Sequence, residues 1–533
     1  MDNKRMILAI ALSIAVLVLW NILFPPQPQR VEQPQTEQTT RQEPSPEQTR
    51  QAEAPLPETS ATGAFSAQGE SLVIDTPLYR AELNTAGGVL EHFLLKQYKT
   101  SIEPDAENVD LVTRDSLSKA PMGLLWNQTP IWREARWSHQ GRDLTLDAQG
   151  TGSLTLVGEM EGLTFTRTLT FRGDSYAIEE QTRIQSDIAA SLRGTLSYTM
   201  ASYRLTMSED RYDRTQVVYM TPDGLEQVHK EKELGPGIVS PVPVVWGGIA
   251  SNYFLLSVLP PEDGTLLKGK LEDQVFRTAL SQDVTVEPGQ AVELKSTYYL
   301  GPKTKKALGT ASPKLESAIN YGWFDFIAKP LMQVLKFFHG YVGNWGGAII
   351  LLTVLIKIVF WPLSHKSYKS MEQMKKLQPM MAKLREKYKD DKKKLNEELM
   401  GLYKTYKVNP AGGCLPMLLQ IPVFIALYQG LLGAIELRHA AFISHLPFTD
   451  LPWLADLSAK DPFYITPLVM GATMFLQQKL SPAPGDPTQA KIMMLMPVVF
   501  TFIFLNFPSG LVLYWLVNNV LSIAQQWWLT RKA

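Results

Sequence analysis

A single cysteine, Cys414, stands among 533 residues, and that scarcity excludes an intramolecular disulfide, a thiolate zinc cluster and a CxxC redox pair. Net charge is missing too: 52 basic and 52 acidic residues leave no global field for nucleic acid, so no sequence-specific nucleic-acid binding is expected. The seven histidines (His92, His139, His229, His339, His365, His439, His445) are scattered without metal-ligand spacing, so neither a metal site nor a cofactor is expected. The chain also lacks a GxSxG elbow, a phosphate-cradling glycine loop and a cluster of His with carboxylates, which argues against an enzyme.

What is present changes character along the chain. Residues 6–24 form an uncharged apolar run behind Lys4 and Arg5, followed by Pro25-Pro26-Gln27 in place of a small-residue cleavage site. Residues 1–24 are therefore expected to stay as a signal-anchor transmembrane helix, with cleavage as the competing outcome. Residues 25–64 are rich in Pro, Gln, Glu and Thr and poor in large apolar side chains, the composition of a disordered tether.

Over residues 65–310 the period becomes two. Leu163, Phe165, Leu169 and Phe171 alternate with threonines, Arg172-Gly173-Asp174-Ser175 supplies a turn, and Tyr176, Ile178 and Ile184 continue the apolar face. A second hairpin is expected through Val284 and Val286, turning near Pro288-Gly289 and returning through Val292, Leu294, Tyr298 and Leu300. A large antiparallel β-sandwich follows from such segments. Residues 311–340 then take helical spacing, with Ser312-Pro313 as a start signal, Leu315, Ile319, Trp323 and Phe326 on one face, and a break or kink at Pro330. An amphipathic interfacial helix is expected there; a helix packed on the β-domain is the alternative.

The remainder, residues 341–533, carries five apolar stretches at about 343–363, 415–437, 464–480, 492–507 and 511–529, making six transmembrane helices with the anchor. Lysines concentrate in residues 364–414, and Lys479, Lys491, Arg531 and Lys532 fall on the same side if the spans alternate. That side is expected to be cytoplasmic, with both termini, leaving the β-domain and the 438–461 loop in the periplasm. The fourth and fifth stretches measure roughly 25 Å at 1.5 Å per residue against about 30 Å of hydrocarbon, so the bilayer should thin beside them.

Polar side chains inside these stretches carry the candidate chemistry. Lys357 lies in an otherwise apolar run, where a lysine costs about 2.5–3.5 kcal/mol. Thr353, four residues earlier, shares its face. Gln420 and Gln429, Thr473 and Gln477, and Asn518, Ser522 and Gln525 repeat the pattern on other stretches. A wet groove is the functional reading; snorkelling of the lysine and interhelical pairing of the amides are the competing ones. No Asp or Glu lies well inside a stretch, Glu436 being near the outer end of the third, which counts against a channel or transporter. Residues 364–414 read as a cytoplasmic helical hairpin turning at Lys389-Asp390-Asp391-Lys392. Its methionine face, with Met371, Met374 and Met381, and its basic tip, Lys392, Lys393 and Lys394, are expected to contact client or ribosome. The lipid headgroups are an alternative partner for it.

Asn409-Pro410-Ala411-Gly412-Gly413-Cys414-Leu415-Pro416, Gln420-Ile421-Pro422-Val423-Phe424 and Phe507-Pro508-Ser509-Gly510-Leu511 strongly resemble motifs of the YidC/Oxa/Albino family of membrane insertases, in its Gram-negative branch. The resemblance implies an insertase and chaperone for nascent inner-membrane proteins, acting alone or with the Sec translocon, through a groove open to cytoplasm and lipid and closed outward. By its place before Trp361-Pro362-Leu363, Lys357 matches the family's positive groove residue, often arginine; lysine keeps the charge and lacks the planar fork. Tyr514 and Trp515 match its client-facing aromatic positions. Relatives often carry a longer basic tail that docks ribosomes, whereas Arg531-Lys532-Ala533 close this sequence, so ribosome contact through the tail is expected to be weak. A structural scaffold for the Sec translocon is a further alternative.

Overall fold

The computed structural model describes residues 69–205, 214–261, 264–406, 408, 415–480 and 487–531. The expected anchor, the tether, most of the motif before Leu415, and Lys532 lie outside the described residues.

The β-domain begins from the alternation seen in the sequence. Leu163–Arg172 buries Leu163, Phe165, Leu169 and Phe171 on one face and pairs antiparallel with Ala177–Ser186, Phe171 opposite Ile178. These strands lie inside a nine-stranded sheet, which a six-stranded and a five-stranded sheet accompany. The sandwich is not wholly antiparallel, since Ser71–Asp75 runs parallel to Leu144–Thr145. The second expected hairpin is corrected as well. Val275–Val286 pairs with Leu192–Ser202 in the six-stranded sheet, while Ala291–Pro302 pairs with Ala177–Ser186 in the nine-stranded one. Its turn carries the chain between sheets, so Val284, Val286, Leu294 and Tyr298 meet one core from opposite sides.

One inward position of Leu163–Arg172 is charged. Arg167 is fully buried, donates from Nε and Nη2 to the two Glu180 carboxylate oxygens at 2.8 and 2.7 Å, and reaches the Gly87 and Met122 carbonyls. Thr182 Oγ1 donates to the same carboxylate at 2.6 Å. A bidentate pair with its remaining donors satisfied is the arrangement that lets an ion pair sit without water.

At the edge of the domain, burial works against the Glu272 charge, but Lys119 and Arg277 together outweigh it and hold the carboxyl below its usual range. A carboxyl lowered by folding contributes stability above its unfolded value and loses it as pH falls through the folded one. Acid titration of Glu272→Gln should therefore show a shallower loss of melting temperature below about pH 4 than the unaltered protein.

The helices that follow depart from the expected single amphipathic helix. Ser312 caps a 3-10 turn, Pro313–Ala318, by accepting from Lys314 N, and its Leu315 and Ala318 join the β-domain core. The long helix starts later, as α1 (Asp325–Val342), and continues through Pro330. That proline removes one hydrogen bond, to the carbonyl of Phe326 at the helix start. Gly343, with φ +67°, ends α1 by donating to the His339 carbonyl, a left-handed cap that suits glycine.

Next come α2 (Trp345–Val359), α3 (Trp361–Lys387), α4 (Lys392–Thr405), α5 (Leu415–Leu432), α6 (Ile465–Leu480), α7 (Pro487–Phe504) and α8 (Ser509–Arg531). The expected second span is bent: α2 stops at Val359 and α3 departs at 65°, with Pro362 in its first turn. No single described helix is long and apolar enough to cross a membrane by itself, though the bent pair α2–α3 meets that measure together.

Side-chain placement in the bundle carries the stronger signal. Leu352, Ile356, Leu427, Leu431, Met470, Leu511 and Val512 form its core. Yet Leu355, Ile358, Leu468, Phe475, Leu495, Val498, Phe502 and Val520 are exposed on its outside. An outer surface of large apolar side chains is what a lipid-facing bundle presents. The β-domain sits against one end: Ile435 belongs to the sandwich core, and Arg438 lies 5.8 Å over the Phe254 ring. Burial and the Glu436 charge push the nearby Tyr98 hydroxyl up to about 12.

Candidate functional site

At the opposite end of the bundle from the β-domain, where the lysine-rich α3–α4 hairpin emerges, polar side chains gather between α2, α5, α6 and α8. Lys357, near the end of α2, is half-buried and points inward: Nζ donates to Ser522 Oγ at 2.6 Å. Among the described residues its ammonium has no ion-pair partner. Ser522 in turn donates to the Asn518 carbonyl, and Tyr368 OH, just past the bend, approaches the Ser522 carbonyl at 3.4 Å. The snorkelling alternative is thus not the geometry found, because the ammonium crosses to a neighbouring helix.

Helix periodicity explains the cluster. Asn518, Asn519, Ser522, Gln525 and Gln526 recur at one, three and four residues, which stacks them on one face of α8. Gln420 Nε2 on α5 donates to Asn518 Oδ1 at 2.8 Å, and Asn519 Nδ2 reaches Thr473 Oγ1 on α6 at 3.5 Å. Gln526 Nε2 donates to the Leu480 carbonyl. Interhelical pairing therefore accounts for part of the stripe. It does not account for all of it, since among the described residues the buried Gln525 Nε2 and Gln526 Oε1 have no partner. Such atoms cost about 1–3 kcal/mol each if dry, so water is their natural complement.

The other sequence candidates divide. Thr353 is fully buried and donates to the Ile349 carbonyl of its own helix, about 6 Å along α2 from Lys357. Gln477 lies half-buried on α6, one turn beyond Thr473, whose hydroxyl donates to the Met470 carbonyl. Trp515 packs among Phe424, Phe500 and Phe504, while Tyr514 is buried and stacked on Phe424 at 6.4 Å, forming a floor rather than an open wall. Gln429 is not part of the cluster: its amide sits beside Gly322 at the β-domain end. Asn519, Gln526 and Tyr368 were not picked out from the sequence; continuing the helical face of Asn518 and Gln525 by one residue finds the first two.

The methionine face of the hairpin is largely turned inward. Met381 is buried with Leu377 and Val408, and Met374, Leu399, Leu402 and Tyr403 pack against them, so two of the three methionines fill the seam between α3 and α4. Met371 is half-buried, Lys393 and Lys394 are exposed, and the Lys392 side chain lies outside the described residues. Asp391 caps α4 by accepting from Lys394 N at 3.0 Å.

Toward the β-domain the cluster is sealed by Ile349, Leu352, Leu427, Phe504 and Leu511. Beyond that seal Asp461, 1% exposed, gathers Trp453 Nε1, Phe463 N, and the Thr466 amide and hydroxyl at 2.7–3.2 Å. Ser509 N and Gly510 N, opening α8, donate to the Ala459 and Leu457 carbonyls. Asp461→Ala strands four donors at about 1–3 kcal/mol each. Proteolysis in residues 438–464 should quicken at least tenfold, and an unchanged rate would mean the carboxylate does not hold this end shut.

An apolar exterior around an inward polar cluster, with a β-sandwich at one end and a cationic hairpin at the other, defines a membrane-embedded bundle carrying an extramembrane domain. Residues 71–334 match the model of the YidC periplasmic domain, and residues 337–533 that of the 60Kd inner membrane protein. The membrane protein insertase YidC of Maridesulfovibrio salexigens is 52% identical over 100% of this chain and 99% of its own length. That of Oleidesulfovibrio alaskensis is 53% identical over the whole of both. The chain belongs to the YidC family of membrane protein insertases, inner-membrane proteins with a periplasmic domain. A solved YidC insertase crystal structure with its first transmembrane domain resolved covers 97% of this chain and is itself covered to 98%, at 19% identity and a TM-score of 0.37.

Proposed function

We propose that the chain, which is no enzyme, takes the polar segment of a nascent inner-membrane protein into the Lys357 cluster from the cytoplasm and releases its apolar segment sideways into lipid. The carrying observation is the Lys357 ammonium, held between α2 and α8 by one serine hydroxyl, beside glutamine atoms that have no partner among the described residues. A carboxylate or backbone carbonyl of a client supplies a better acceptor than that hydroxyl. The seal at Leu352, Leu427 and Leu511 stops the client's polar part halfway.

Six spans with both termini in the cytoplasm are the reading that fits the lysine distribution. Helix α6, with 16 residues, reaches about 24 Å, short of a hydrocarbon layer of about 30 Å, and thinned lipid there lowers the remaining barrier. Burial of the client's apolar side chains, about 25 cal/mol per Å², drives release without nucleotide. In this reading the hairpin, through Lys393 and Lys394, and α1, through exposed Phe326, Phe337 and Tyr341, meet ribosome, Sec translocon or lipid at the two faces of the membrane. Purified protein in liposomes should insert a small single-span client with ATP absent. Insertion that required ATP, or did not exceed that of empty liposomes, would refute the reading.

A further inference from the structure

Residues 442–454 form a narrow finger beyond the sealed end of the bundle. Its two sides are tied by Phe442 N to the Leu454 carbonyl at 2.9 Å, Trp453 N to Ser444 at 3.2 Å and Leu446 N to Leu451 at 2.8 Å, with a bridge between His445 and Pro452. Its base is fixed to the helix ends: Asn344 Nδ2, capping α2, donates to the Phe442 carbonyl at 3.1 Å. The Phe442 ring also covers Gly346 so closely that an added Cβ would overlap it.

The tip is a β-turn closed by Thr449 N on the Leu446 carbonyl at 3.0 Å, with Pro447 second and Phe448 third. Phe448 has φ +68°, the left-handed conformation that a type II turn assigns to its third residue and that glycine or asparagine normally fills. Here a bulky aromatic takes it, and its side chain is fully exposed, at 107%. Leu451 and Ile443 are exposed beside it. Strained backbone that presents an unburied aromatic gains the fold nothing by itself, so the gain lies in something the tip contacts.

The geometry points to the outer leaflet of the bilayer as that contact: Phe448, flanked by Leu451 and Ile443, is a wedge that dips among lipid at the sealed end of the bundle. The finger lies in the connection from α5 to α6 and is pinned at its base to the start of α2, which puts its tip at the depth where a spanning bundle meets headgroups. Aromatic side chains Trp323, Phe337 and Tyr341 are exposed at the start and along α1, as in the aromatic girdles of membrane proteins. Between Arg438 and Lys460 there is no Lys or Arg, so contact rests on apolar insertion rather than on attraction to anionic lipid. Three apolar side chains on one finger are too few for a stable protein interface, which takes about 800 Å² per partner, whereas lipid accepts a single wedge.

The inference rests on the bundle spanning the bilayer, and the test separates the two. In a Cys414→Ala background, Asp450→Cys carries an environment-sensitive fluorophore in the full chain, in liposomes of zwitterionic lipid without client. Its emission should be blue-shifted and quenched several-fold more by shallow nitroxide-labelled lipid than by aqueous iodide. Adding Phe448→Gly, which relaxes the turn instead of straining it, should reverse that preference. A fluorophore on Phe502→Cys, on the apolar outside of α7, should be quenched from lipid in either case; loss of that signal would indict the spanning reading. Iodide quenching that is strong and indifferent to Phe448, or protection that appears only when client or another protein is added, would overturn the lipid contact.

Discussion

Lys357→Ala cuts insertion of a small single-span client with an acidic leading segment by roughly 10- to 100-fold, the equivalent of one charge-assisted hydrogen bond of about 1.5–3 kcal/mol. Melting of the helical bundle does not fall with it. A half-buried ammonium that, among the described residues, has only the Ser522 hydroxyl for a partner contributes little to folding, and replacing a poorly paired buried charge is often neutral or stabilising. Lys357→Arg keeps the charge and should retain most of the activity, with a gain for clients whose carboxylate can accept two bonds from the fork. Ser522→Ala frees the ammonium without removing it and should leave insertion within a few-fold of normal. Parallel loss of insertion and melting temperature in Lys357→Ala would instead make the lysine a structural element.

The opposite pattern is expected at Arg167. Arg167→Ala leaves the Glu180 carboxylate fully buried with no cation and strips donors from the Gly87 and Met122 carbonyls, a loss of about 3–5 kcal/mol. For a domain of this size that lowers the melting transition of the β-domain by roughly 6–20 °C. Differential scanning calorimetry of the full chain in detergent reads it, and the transition of the bundle should not move. The pair Arg167→Met with Glu180→Leu should recover part of the loss, because the stranded charge goes, and not all of it, because the two carbonyls stay unmet. A fall of less than about 1 kcal/mol in the single variant would mean that water replaces the guanidinium.

These two residues also mark how far the sequence could be read. Alternation located the strands, since a period of two says which side chains face inward, but it is blind to which strand lies alongside. The runs through Val284 and through Leu294 therefore read as the two arms of a hairpin, whereas they lie in different sheets and contribute to one core. Arg167 occupies an inward slot of a strand whose pattern was otherwise apolar, and only the fold shows that Glu180, Gly87 and Met122 converge on it.

In the bundle, polar residues inside apolar stretches were legible one helix at a time because water and lipid penalise them so differently. Their partners were not: Lys357 with Ser522 and Gln420 with Asn518 are contacts across 165 and 98 residues. Gln429 looked equivalent to Gln420, but nine residues of helix, about 14 Å, carry it to the other end. The bend at Phe360 was hidden for a different reason. Apolar side chains run on past it to Leu363, and only Pro362 hints that a new helix starts.

The central claim is that water reaches the Lys357 cluster from the hairpin side and stops beneath Leu427. Cysteine reacts with a membrane-impermeant maleimide only where water supports the thiolate. In the Cys414→Ala background, Gln420→Cys and Ser522→Cys should label from the hairpin side, while Leu427→Cys within the seal and Phe502→Cys on the lipid face should not. Inert cysteines at 420 and 522 in a folded protein, or equal labelling at 427, would contradict a half-depth aqueous groove.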